Sequence, residues 1–172
     1  MEKFTFTRKE KVYLLLAFFV LLTLFISSSM TYHQQKMSPG FINQKFGLLE
    51  NIVGNWNIYY GGRWHNAALD GGQAGMTQFV LRKLAHFSSY FCLGLFGFLG
   101  IRRIFKIKAV APIISWMIVL AFAALDEYHQ YLTGDRTPSI HDVMLDGFGG
   151  LCAIVIAIII IWLIKKFAKK QA

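Results

Sequence analysis

Charge is scarce in this chain of 172 residues: 16% of its residues are Asp, Glu, Lys or Arg, against 55% hydrophobic. So small a charged fraction, with a positive mean hydropathy, excludes an ordinary soluble domain and points to a membrane protein. Cysteine is scarcer still. Cys92 and Cys152 both lie inside apolar runs, without a CxxC or a Cys/His zinc spacing, and read as small buried side chains. There is no Gly-rich phosphate loop, no GxSxG, no HExxH and no internal repeat, so no cofactor is expected. Acidic residues number nine against eighteen basic ones, a formal charge of +9. That surplus does not mark a nucleic-acid partner, because the basic residues sit in short clusters beside apolar runs rather than along one soluble face.

Four segments carry roughly 20 apolar residues each, enough to cross a hydrocarbon core as helices. They run approximately over 12–30, 81–101, 109–132 and 140–164, within a single domain of residues 1–172. The expected fold is therefore an all-α integral membrane protein with four transmembrane helices. Lys3, Arg8, Lys9 and Lys11 precede the first span, Arg102, Arg103, Lys106 and Lys108 lie between the second and third, and Lys165, Lys166, Lys169 and Lys170 follow the fourth. Basic flanks mark the cytoplasmic side, so both termini are expected inside. Tyr13 and Trp162 fit an aromatic belt at that face. The first span has a rival reading: its basic leader, apolar stretch and Ser27, Ser28 and Ser29 resemble a signal peptide. It lacks an A-x-A site, and an uncleaved helix gives the same topology downstream.

Residues 31–80 form a long extracytoplasmic loop, too long for a simple connector. Ser38 and Pro39 read as an N-cap and first helical residue, and Ile42, Phe46, Leu49, Val53 and Trp56 follow at helical spacing. That predicts an amphipathic helix on the outer leaflet or over the bundle, stopped by Gly61 and Gly62. Packing on the other spans competes with lipid or ligand sensing by Trp56, Tyr59, Tyr60 and Trp64. Gly71, Gly72 and Gly75 mark a break before the second span.

The charge that does exist within the spans is concentrated. At 100° per residue, Lys83, His86, Tyr90, Gly94 and Gly97 share an arc of about 80° on the second span, with Lys83 and His86 expected in its first turns. Asp126, Glu127 and Gln130 stand near the outer end of the third. Asp142, Asp146, Gly149, Gly150, Ala153 and Ala157 form a stripe about 100° wide on the fourth. Small residues below the acids let backbones approach, which turns that stripe inward. A charge at mid-membrane costs roughly 2.5 to 3.5 kcal/mol on insertion scales, so acids unpaired against lipid are not expected. Asp126, Glu127, Asp135, Asp142 and Asp146 outnumber Arg82, Lys83 and Arg136. Either some carboxyls hold protons or a cation joins them. The linear spacing offers no tight metal-ligand set, so no metal is expected. His129 points about 160° away from Glu127 around its helix and, like His141, reads as structural or interfacial.

The stretches "RKLAHFSSY" (82–90) and "DEYHQYLTGDRTPSIHDVMLDGFGG" (126–150) together resemble the VanZ-like family of small bacterial membrane proteins. Lys83, His86 and Tyr90 match its Lys-x-x-His-x-x-x-Tyr stretch. Asp126, Glu127 and Gln130 match its Asp-Glu-x-x-Gln, and Gly134 and Arg136 its Gly-x-Arg. Asp142, Val143, Asp146 and Gly150 match the segment that follows. "SSSMTYHQQ" (27–35) resembles the segment after the family's first helix. Ser89 departs from the pattern where many relatives carry an acid, which argues against any scheme needing an acid beside Tyr90. The resemblance implies a multi-pass protein of the bacterial plasma membrane. Its founding member is associated with low-level resistance to teicoplanin, a lipid-tailed glycopeptide. The enzyme name phosphotransbutyrylase, sometimes attached to relatives, finds no soluble acyl-phosphate or coenzyme A site here.

Three classes of function stay open. The favoured one is an extracytoplasmic polar pocket of Lys83, His86, Tyr90, Asp126, Glu127, Gln130, Arg136, Asp142 and Asp146. It would bind a lipid headgroup, a lipid-linked wall intermediate or an amphiphilic drug, and so lower susceptibility to teicoplanin-type glycopeptides. Lys83 and Arg136 would meet phosphate or carboxylate groups. The second is an enzyme acting on an extracytoplasmic lipid, with Glu127 or Asp126 as general base and His86 as proton carrier. The third is a small proton-coupled transporter, which would need oligomers. Structural roles compete residue by residue: snorkelling for Lys83, stapling of helices through Arg136 for Asp126 and Glu127, and capping for Asp142.

Overall fold

The computed structural model describes residues 5–133 and 138–170. Its elements run α1 (Arg8–Ser28), α2 (Tyr32–Gln35), α3 (Pro39–Val53), β1 (Ile58–Tyr60), β2 (Arg63–His65), α4 (Gly72–Ile101), α5 (Val110–Leu132) and α6 (Ile140–Ala168). The helices α1, α4, α5 and α6 are each long and apolar enough to cross a membrane. The all-α, four-span architecture expected from hydropathy is the one found.

Local chemistry sets the ends of these helices. Thr7 caps α1 through a capping box with Glu10: the Glu10 N–H donates to Thr7 Oγ1, and the Thr7 N–H donates to the Glu10 carboxylate. Glu10 also pairs with Arg103 at 3.5 Å, fastening the start of α1 to the α4–α5 connection. Ser38 and Pro39 begin α3 as expected, the Phe41 N–H donating to Ser38 Oγ. This helix is kinked at Phe46 and ends at Gly54, earlier than Gly61. Ile42 and Val53 are buried, with α3 packed on α4, while Phe41, Leu48 and Ile52 stay exposed on its other face. Trp56 lies beyond the helix and is exposed.

Gly61 and Gly62 do not stop a helix. They are the two-residue turn of an antiparallel hairpin, with Tyr60 opposite Arg63 and positive φ at both glycines. Asp70 anchors the hairpin's exit by accepting from Arg63, from the Asn66 N–H and from His65, whose ring stacks on Phe79. The second span also starts earlier than Leu81. Gly71 and Gly72 take positive φ and launch α4 at once, so Lys83 stands about three turns into the helix rather than in its first turn. The buried run Met76, Thr77, Gln78 and Phe79 shows why this extension is stable: it packs beneath α3 and the hairpin.

The core is built from two unlike seams. Along α4 and α6, small residues meet: a Cβ on Gly94 would lie 2.6 Å from the Gly150 carbonyl oxygen, and one on Gly149 would lie 2.6 Å from the Phe87 carbonyl oxygen. Gly150 likewise leaves room only for Val119 of α5. The inward stripe expected on α6 is observed, with Asp146, Gly149, Gly150, Ala153 and Ala157 all buried. Along α1 and α5 the approach is looser. Ser28 Oγ meets His129 Nδ1 at 2.9 Å, and the Phe25 and His129 rings stack 4.9 Å apart. Below that tie, bulky side chains hold the helices apart.

Candidate functional site

The seam between α4 and α6 aligns residues 83 and 142, and the turn from α5 into α6 brings residues 126 to 130 beside them. The Lys83 ammonium donates to Asp142 Oδ1, forming an ion pair between α4 and α6. Tyr60, carried in by β1, donates its hydroxyl to the same oxygen at 2.5 Å. Its ring also lies 4.7 Å from the Lys83 ammonium, a cation–π contact that closes the group. Burial, reinforced by the hydrogen bond to Asp142, pushes the Tyr60 phenol above its ordinary pKa and keeps it a donor. Asp142, in the first turn of α6, is further favoured by the helix dipole.

One turn deeper, His86 Nδ1 lies 3.3 Å from Asp146 Oδ2 and 4.0 Å from Asp126 Oδ2. Gln130 donates its amide N–H to Asp126 Oδ2 at 2.9 Å, an i, i+4 contact within α5. Glu127 accepts the Ser139 N–H at 2.8 Å, tying the end of α5 to the start of α6. Asp126, Glu127, Gln130 and Asp146 are all buried, Asp146 to 1% exposure. Lys83, His86, Asp126, Gln130, Asp142 and Asp146 thus gather at one end of the bundle, with Glu127 beside them on the α5–α6 link. Tyr90 stands at the edge of this group: its hydroxyl donates to the Phe122 carbonyl at 3.3 Å instead of reaching an acid. Arg136, the expected partner of Asp126 and Glu127, lies outside the described residues, as do Gly134 and Asp135. His129 faces Ser28 and Phe25, and His141 lies beside the Tyr60 ring, so neither joins the acids.

Sequence reasoning left Tyr60 out of the polar pocket, naming it only with Trp56, Tyr59 and Trp64 as a lipid- or ligand-sensing aromatic of the loop. The readable signal was Gly61–Gly62 between two short runs of β-prone residues, a hairpin pattern that turns Tyr60 toward the spans. It also expected no metal. His86, Asp126 and Asp146 offer one ligand atom each within 4.8 Å of one another, but they come from three helices and no linear spacing could reveal them.

Lys83 pairs with Asp142, and among the described residues Asp126, Glu127 and Asp146 meet His86, the Gln130 amide and the Ser139 N–H. Buried carboxylates need charge or hydrogen-bond compensation, because desolvation otherwise costs several kcal/mol each.

Beside this cluster lies a cavity of about 540 Å³ between α1 and α5. Phe18, Leu21, Phe25, Phe122 and Leu125 supply apolar walls, and Ser28, Asp126 and Tyr90 reach it at the polar end. A second cavity of about 210 Å³, lined by Leu14, Gly97 and Ser115, shares Phe18, Leu21 and Phe122 with the first. Together they form an apolar groove along the open seam, with Asp126 and Tyr90 belonging to both groove and polar cluster.

A family model described as VanZ/LLP1 matches residues 12–162, which include all of the polar cluster. No curated protein and no solved structure matches the chain.

Proposed function

This chain belongs to the VanZ/LLP1 family, and from that premise we propose that this multi-pass membrane protein binds an amphiphile, its apolar tail in the α1–α5 groove and its polar head against the acidic cluster. The observation that carries this reading is the groove's polar end: a cavity of about 540 Å³ with almost wholly apolar walls terminates on Asp126 and Tyr90. Ligand sites combine such a volume and lining with a few convergent polar groups. A membrane lipid, a lipid-linked wall intermediate and a lipid-tailed glycopeptide share the required chemistry. Holding either of the last two at the outer face would lower susceptibility to teicoplanin-type drugs.

The location is the bacterial plasma membrane, with the polar cluster on the extracytoplasmic side. The basic residues support this orientation: Arg102, Arg103, Lys106 and Lys108 lie at the opposite end of the bundle from Lys83 and Asp142. A cysteine introduced by Asn57→Cys should react with an impermeant thiol reagent added outside cells, and one introduced by Lys106→Cys should not. The reverse pattern inverts the orientation.

Mass spectrometry of molecules retained after gentle purification tests the binding itself. One amphiphile class should be enriched over the bulk lipid. Leu125→Trp, which fills the groove, should weaken its retention by about tenfold, roughly 1.4 kcal/mol. Ile158→Trp, on the exposed face of α6, should leave it unchanged. Equal retention in both variants rules the groove out. Retention kept together with loss of phenotype in Glu127→Gln would favour chemistry on the bound molecule over binding alone.

A further inference from the structure

Asp146 is the most deeply buried acid of the polar cluster, and its Oδ1 has no hydrogen-bond partner among the described residues. Buried carboxylate oxygens are seldom left so, since each forgoes the hydration it had in the unfolded chain. A simple His–Asp hydrogen bond explains only the other oxygen, Oδ2, which faces His86 Nδ1 at 3.3 Å. It leaves Oδ1 unexplained, and it leaves a second carboxylate, Asp126, 4.0 Å from the same nitrogen.

Three features of this trio fit a bound cation. The three ligand atoms, one from each of α4, α5 and α6, lie within 4.8 Å of one another. Metal–ligand distances of about 2.0 to 2.2 Å give ligand–ligand edges of roughly 3.4 Å in a tetrahedron; the His86–Asp146 separation of 3.3 Å already matches such an edge, and an ion would draw the Asp126 carboxylate inward from 4.0 Å. Charge also fits within the trio. With Lys83 paired to Asp142, a divalent ion cancels the two negative charges of the Asp126 and Asp146 carboxylates, His86 binding as the neutral imidazole; Glu127, tied to the Ser139 N–H, stands outside the trio. Finally, Gln130 fixes the Asp126 carboxylate through its Nε2–H bond to Oδ2, the kind of outer support that orients a ligating carboxylate.

We propose that His86, Asp126 and Asp146 form a binding site for a divalent transition-metal ion. The imidazole ligand favours zinc over magnesium or calcium, whose preference is for oxygen alone, and the two carboxylates also suit manganese. Three protein ligands leave further coordination positions to water or a bound group. The site shares its acids with the amphiphile reading but does not depend on the groove, so either can fail without the other.

The test uses the full chain in detergent, stripped with chelator and titrated with zinc or manganese alone. One ion should bind per chain, and the wild type should gain thermal stability on metal addition. His86→Gln and the nearly isosteric Asp146→Asn should lose at least about a hundredfold in affinity, judged against the losses of 10- to 100-fold typical of outer-shell changes. His33→Ala should bind as the wild type does. Pulsed electron paramagnetic resonance of the manganese-loaded wild type should show coupling to an imidazole nitrogen, a readout that stands even if the variants fail to fold. No bound ion, affinity unchanged in Asp146→Asn, or a manganese signal without nitrogen coupling would overturn the proposal.

Discussion

The seams α4–α6 and α1–α5 run through the same small bundle and are built on opposite principles. At α4–α6, Gly94, Gly149 and Gly150 let the backbones meet, and the polar end is locked by Lys83 and Asp142. At α1–α5, Phe18, Leu21, Phe122 and Leu125 keep the helices apart, and the tie is a Ser28–His129 contact at one end. Helix association in lipid has little hydrophobic driving force and rests on close packing and polar contacts. The first seam has both, and it fixes where the acids stand. The second has little of either, and the space it leaves is the groove.

The contrast can be broken from its tight side. Gly94→Val places new atoms against the Gly150 backbone of α6, which has no side chain that could yield. We expect a loss of about 3 kcal/mol or more, at the upper end of overpacking costs, seen as lost folded yield and a lower melting temperature. Lys83→Met leaves Asp142 with Tyr60 as its main donor and should cost about 2 kcal/mol, less than the 3 to 5 for a wholly buried pair because both partners are partly exposed. Adding Asp142→Asn should restore most of that loss in the same melt. The smallest effect sharpens the comparison: Gly97→Ala, on the same helical stripe as Gly94 but with open space around its Cβ, should change the melting temperature within about ±0.5 kcal/mol equivalent. A large loss there would mean that the whole stripe, and not its contact with α6, is what matters.

How much of this was legible in the sequence divides along the same line. The four spans, the N-terminus of α3 and the inward stripe of α6 follow from local periodicity, because burial and helix period act on neighbouring residues. The early start of α4 was hidden because glycines read as breaks; here Gly71 and Gly72 supply the positive φ that begins the helix. Tyr60 was hidden because its role depends on a hairpin that carries it across the molecule to Asp142. The trio His86, Asp126 and Asp146 was legible as part of one polar pocket but not as three ligand atoms within reach of one ion, since only the packing of three helices sets its distances. The groove had no sequence signal at all: Phe and Leu on α1 look alike whether they pack tightly or hold a seam open. Arg136 lies outside the described residues, and the stapling role expected of it finds no test in this arrangement.

The open seam is also the place where the account is most exposed. An amphiphile with a photoreactive group near the end of its acyl chain, added to the protein in vesicles and activated by light, reports which helices its tail touches. Labelled peptides should concentrate on the groove away from Asp126, on α1 from Leu14 to Leu21 and on α5 from Ser115 to Phe122, and Leu125→Trp should remove most of that label. Label spread evenly over the exposed apolar faces, or gathered on α6, would contradict the claim that the α1–α5 groove holds the tail.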